Sequence, residues 1–116
     1  MQEAKIESVN GQQQGVRLIR LAGPFTIQAN LFEFQEMIRR NVDPITIVDL
    51  SEVPYMDSAA LGALLGLHVS CQKEKRKYGL AGVVPRIQTL FQVCKVEGML
   101  TCFPTVEAAE QALTKQ

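Results

Sequence analysis

Asp49-Leu50-Ser51-Glu52-Val53-Pro54-Tyr55-Met56-Asp57-Ser58-Ala59-Ala60-Leu61-Gly62 is the stretch around which the rest of the chain is arranged. The apolar run Ile45 to Leu50 leads into it and reads as a buried strand. A short polar turn follows. From Ser58 to about Lys75 the pattern is that of a long helix, with Leu61, Leu64, Leu65 and Val69 as its expected buried ridge. Ser58 is therefore expected at a helix N-terminus beyond the carboxyl end of a buried strand, where open α/β sheets collect their binding sites. Gly62, Gly66 and Ser70 recur every four residues on the same helix. The helix is too short and too charged at its end for a membrane, so these small residues are expected to let it pack closely on the sheet.

Upstream, residues 4–9 and 15–22 read as two strands joined through Asn10-Gly11 and a run of glutamines, a hairpin signal. Gly23-Pro24 ends the second strand. Thr26 is the expected N-cap of the next helix, whose apolar stripe is Ile27, Leu31, Phe34 and Ile38. Arg39 and Arg40 suit the negative end of that helix. Residues 16–50 thus form a βαβ unit with parallel strands.

Downstream, Tyr78 to Val84 reads as a strand, and Pro85 opens a helix with Ile87, Leu90, Phe91 and Cys94 on one face. Gly98 interrupts the pattern, and Met99 to Phe103 makes a short edge strand. Thr105 caps a last helix that turns Val106, Ala109 and Leu113 inward. The charge run Lys73 to Lys77 reads as a solvated face whose cations suit a helix C-terminus.

At 116 residues the chain is expected to form a single domain over 1–116. Lys plus Arg and Asp plus Glu number 12 each, so no basic field for nucleic-acid binding arises from the totals. No apolar run approaches the roughly 18 residues of a membrane span, and the first residues lack the layout of a signal peptide. A cytoplasmic protein without direct membrane insertion is expected. The three cysteines form no C-x-x-C pair, which argues against a zinc site or a disulfide framework. At least two of them are expected to be buried, reduced thiols.

A hydrolase needs a nucleophile and a base within hydrogen-bond reach. The single histidine, His68, lies ten positions after Ser58 on one predicted helix, about 15 Å along its axis. Those two residues form no dyad within a subunit. G-x-S-x-G, phosphate-cradling and H-E-x-x-H motifs are absent, and Asp49 and Asp57 read as turn residues. No catalytic residue, cofactor or metal site is expected. What remains is Ser58, which taken alone reads as a plain N-cap.

Val53-Pro54-Tyr55-Met56-Asp57-Ser58-Ala59-Ala60-Leu61-Gly62-Ala63-Leu64-Leu65 resembles the signature of STAS domains, a family that includes bacterial anti-sigma-factor antagonists and the cytosolic tails of sulfate transporters. Leu18 to Gly23, Pro85 to Cys94 and Phe103-Pro104-Thr105-Val106-Glu107 resemble other parts of the same family pattern. The resemblance implies an α/β fold of STAS type, a mixed β-sheet of about five strands with about four helices. It further implies a non-enzymatic anti-sigma-factor antagonist in a phosphorylation-controlled partner switch. Ser58 is the implied phosphorylation site, and the implied partner surface comprises Thr26, Asp57, Ser58, Ala59, Ala60 and Leu61. The implied partners are an anti-sigma factor with serine-kinase activity and a serine phosphatase. Two departures stand out: Ala59-Ala60 replaces the usual small polar and glycine pair, and Gly23-Pro24-Phe25-Thr26 lacks the usual acidic residue. Competing readings are a soluble STAS subunit gripping the ATPase of a lipid-trafficking ABC transporter, and a scaffold domain independent of phosphorylation.

Overall fold

Alternation along the strands decides which face each side chain covers. The structure, a computed structural model, describes residues 4–115. Strands β1 (Lys5–Asn10), β2 (Val16–Ala22), β3 (Ile45–Glu52), β4 (Lys77–Ala81) and β5 (Cys102–Phe103) lie in that order in one sheet. β1 pairs antiparallel with β2, and the remaining neighbours are parallel. Four helices connect or follow them: α1 (Leu31–Arg40), α2 (Ser58–Glu74), α3 (Pro85–Val93) and α4 (Val106–Thr114). This is the mixed five-stranded, four-helix architecture expected from the sequence.

Ile19, Leu21, Val48, Leu50, Tyr78 and Leu80 point to one face of the sheet and meet α1, α2 and α3 in the main core. Val16, Leu18, Ile47 and Ala81 point to the other and meet α4 through Ala109. β3 is central and buried on both faces, which is why Ile45 to Leu50 reads as an almost unbroken apolar run. Phe25 and Phe34 meet edge-on, with ring centroids 5.1 Å apart, under the junction of α1 with the sheet.

Five expectations need correction. Thr26 is not the N-cap of α1: the helix begins at Leu31 with Asn30 before it. An isolated parallel bridge pairs Phe25 with Met56, and the Ile27 N–H is held by Asp57, so the intervening chain is committed to turns. Ile27 accordingly leaves the apolar stripe and is exposed. On α2 the buried ridge is Leu61, Leu64, Leu67 and Cys71, whereas Leu65 is half-buried and Val69 exposed. The helical period of 3.6 carries residues 65 and 69 progressively off the contact face.

Gly62 and Gly66 do not press against the sheet. A Cβ added at either would meet nothing within 4 Å. They instead line an open cleft of about 400 Å³ between α2 and α1, beside Phe34 and Ile38. Finally, only Cys71 is buried, and Cys94 and Cys102 are exposed. α3 ends at Val93, leaving Cys94 outside the stripe, and Cys102 sits on the edge strand. Pro85 at the start of α3 and Thr105 as the cap of α4 stand where the sequence puts them.

Candidate interaction site at the start of α2

The carboxyl ends of β2 and β3 stay coupled beyond the regular sheet. Gly23 N–H donates to Glu52 O at 2.9 Å, Phe25 N–H to Tyr55 O at 3.1 Å, and Asp57 N–H to Phe25 O at 3.3 Å. Gly23 has φ +82°, a left-handed conformation that a side chain would resist, and this turns the chain after β2 towards the β3 loop. Buried Val53 and Met56 anchor that loop from below.

Asp57, not Ser58, is the N-cap of α2. One carboxylate oxygen accepts from Ala60 N–H at 2.9 Å. The other accepts from Ile27 N–H at 3.0 Å, joining the two loops. Ser58 is the first helical residue and is exposed. The dipole of a 17-residue helix therefore has its positive end beneath an accessible hydroxyl that the cap does not use.

Thr26 is half-buried on the adjoining loop, and its carbonyl accepts from Ala29 and Leu31 N–H. Ala59 is half-buried. Ala60 and Leu61 are buried and face the core, so they support the surface from beneath rather than form it. The corner thus brings Thr26, Asp57, Ser58 and Ala59 together and withdraws Ala60 and Leu61.

Sequence reasoning missed one member of this end of the molecule. The Arg86 guanidinium lies 5.3 Å from the centre of the exposed Tyr55 ring, a cation–π arrangement. Tyr55 and Arg86 are far apart in sequence, and no spacing rule links the β3 loop to the first turn of α3. Asp49 serves its turn by accepting Ser51 N–H at 3.0 Å. His68 is half-buried, with Nδ1 2.8 Å from the Tyr78 hydroxyl, well down α2 from Ser58. Among the described residues no three His, Cys, Asp or Glu side chains are grouped to hold a metal ion, and no helix is long and apolar enough to cross a membrane.

Comparison with known proteins decides the family. The STAS domain family model matches residues 9–109, nearly the whole chain. The chain belongs to the STAS domain family. No curated protein is significantly similar to it in sequence. Among solved structures, this STAS domain is similar to an anti-sigma factor antagonist from Mycobacterium paratuberculosis, with TM-score 0.80 and 19% identity over 96% of each chain. It is similar also to the Bacillus cell fate determinant SpoIIAA in its phosphorylated form, with TM-score 0.65 and 18% identity over 94% of this chain and 98% of that one. A sulfate transporter family protein from Wolinella succinogenes shares the fold too, with TM-score 0.69 and 20% identity over 87% of this chain and 86% of the other. At these identities the likeness is one of fold, which an anti-sigma factor antagonist and a sulfate transporter family protein share.

Proposed function

We propose that this STAS domain is an anti-sigma-factor antagonist whose unphosphorylated form binds an anti-sigma factor with serine-kinase activity, and that phosphorylation of Ser58 releases it. The observation that carries the reading is the division of roles at the start of α2. Asp57 holds the cap, leaving Ser58 exposed.

Phosphorylation would add about −1.5 to −2 charges and three strong acceptors at this position. The domain itself tolerates that change, because the positive end of the α2 dipole offsets part of it, by about 0.3–1 kcal/mol. A docked partner tolerates it far less. Desolvating a dianion beside the Asp57 carboxylate, against a surface shaped for a neutral hydroxyl, costs several kcal/mol. A loss of about 2–3 kcal/mol already lowers affinity roughly 30- to 150-fold. The fold persists while the complex dissociates, and a serine phosphatase would restore the binding form.

Incubation with candidate anti-sigma kinases and ATP, followed by intact-mass measurement, tests the reading. One added phosphate is expected on the wild type and none on Ser58→Ala. Ser58→Asp is expected to abolish capture of the anti-sigma factor with a nearly unchanged thermal midpoint. Equal affinity of wild type and Ser58→Asp for that partner would refute the switch. Capture of a transporter ATPase without phosphorylation would favour the ABC-subunit reading.

A further inference from the structure

The chain carries no formal net charge, yet the fold distributes its charges unevenly between two poles, with Arg86 a cation on the otherwise more acidic one. Acidic residues gather beyond the carboxyl ends of the parallel strands: Asp57 ahead of α2, Glu33 in the first turn of α1 and Glu107 in the first turn of α4. The opposite pole collects the carboxyl ends of α1, α2 and α4 and the starts of β2, β3 and β4. There the backbone ties the parts together: Lys77 N–H donates to Pro44 O at 2.9 Å, Ile45 N–H to Gly15 O at 3.2 Å, and the Arg76 guanidinium to Asn41 O.

The carboxylates of this pole are already engaged. Glu36 is shared by Arg39 and Arg40, Asp43 pairs with Arg17, and Glu74 pairs with Arg76. Glu110 accepts the Gln13 N–H. Lys73, Lys75, Lys77 and Lys115 are exposed and have no carboxylate partner among the described residues. Three of the four line one shallow cleft, with Pro44 in its wall. This exceeds what compensation of three helix ends requires, each end carrying only about half a negative charge.

A second observation comes from the α1–β3 loop at the same pole. Val42 is 86% exposed, and Pro44, beyond the half-buried Asp43 that pairs with Arg17, is exposed too. The hydrogen bonds at Asn41 and Pro44 hold this short loop in place next to the lysines. Lys77 Nζ reaches the Leu113 carbonyl at 3.3 Å, which leaves its charge uncompensated. An exposed apolar tip on the same pole as lysines without carboxylate partners has the chemistry of an interfacial anchor, in which apolar insertion adds to attraction for anionic headgroups. A nucleic acid would want stacking platforms or helix N-termini for its phosphates. This cleft is lined by no aromatic residue and faces helix C-termini.

We propose that this basic pole docks reversibly on an anionic phospholipid surface, with Val42 entering the headgroup layer. α2 spans about 25 Å from one pole to the other, so Ser58 faces away from the bilayer and stays open to a protein partner. The inference does not depend on the role proposed for Ser58.

Co-sedimentation of the full chain with vesicles tests it, using phosphatidylcholine alone and phosphatidylcholine containing phosphatidylglycerol. Binding is expected only to the anionic vesicles, and it should be lost in 0.5 M salt, where the screening length falls to about 4 Å. Each Lys→Gln change among the four should lower partition about fivefold. Val42→Asp should weaken binding with all four lysines intact, and a control Arg86→Gln at the far pole should leave it unchanged. Circular dichroism melts confirm that each variant folds. Equal binding to neutral and anionic vesicles, no binding to either, or insensitivity to both the lysines and Val42 would overturn the proposal. So would binding to duplex DNA as tight as to anionic vesicles and unaffected by Val42→Asp.

Discussion

The Asp57 carboxylate accepts the Ile27 backbone N–H at 3.0 Å, across thirty residues of sequence, while its other oxygen caps α2 through Ala60. One side chain therefore fixes both the start of α2 and the path of the preceding loop. Asp57→Ala is expected to cost about 1–2 kcal/mol, read as a lowered urea midpoint. Amide hydrogen exchange at Ile27 and Ala60 should accelerate together, because both lose the same acceptor. Acceleration at Ala60 alone would show that the loop holds without Asp57.

Tyr78 links three elements. Its phenol oxygen accepts Thr101 N–H at 3.1 Å and lies 2.8 Å from His68 Nδ1. Tyr78→Phe is expected to cost about 1–2 kcal/mol, mainly by stranding the Thr101 donor. Burial raises the Tyr78 pKa above its ordinary 10.0, with the Thr101 hydrogen bond partly opposing. The neutral phenol is thus favoured in the folded state, the unfolded chain loses its proton first, and stability falls as pH rises past 10.0. Burial raises Cys71 in the same sense from 9.0, so the decline should begin near that value. Thermal midpoints measured from pH 8 to 11 should fall throughout the upper range, with a shallower fall above pH 10 for Tyr78→Phe.

Asn30 is 4% exposed, and neither its side-chain oxygen nor its side-chain nitrogen has a hydrogen-bond partner. It occupies the position before α1 without capping it. Replacing a buried, unsatisfied amide by an apolar group of similar volume removes a standing desolvation cost. Asn30→Leu is expected to stabilise the fold by about 1 kcal/mol in urea denaturation. A destabilisation would indicate that the amide finds a bridging water in solution.

Lys75 closes α2 in the left-handed conformation, φ 58° and ψ 39°. Glycine takes this geometry without the steric penalty that a Cβ brings. Lys75→Gly should raise stability by about 0.5–1 kcal/mol, even though it removes a cation from the helix end. An unchanged or lowered denaturation midpoint would show that the charge there outweighs the backbone cost.

Long-period features were legible in the sequence. The buried run into β3, the parallel β2–α1–β3 unit, Pro85 at the start of α3 and Thr105 at the cap of α4 each rest on a local rule of spacing or backbone chemistry. The errors arise where tertiary contacts override such rules. Thr26 is a good capping residue, but the Phe25–Met56 bridge and the Asp57–Ile27 bond occupy the chain before a helix can begin. Asp57 and Ser58 are both preferred caps, and only the folded geometry of the loop decides that Asp57 caps. Ala60 and Leu61 adjoin the exposed serine in sequence, yet the helical turn carries them inward. The stacking of Arg86 on Tyr55 leaves no pattern at all in a single sequence.

The separation of lysines without carboxylate partners from helix-start carboxylates gives a formally neutral molecule an electric dipole. Near its isoelectric point such a particle still presents a cationic end and an anionic end, and at low ionic strength neighbouring copies attract tail to head. The same preparation should be retarded on both cation- and anion-exchange resins, and its second virial coefficient should turn more positive as salt is first added.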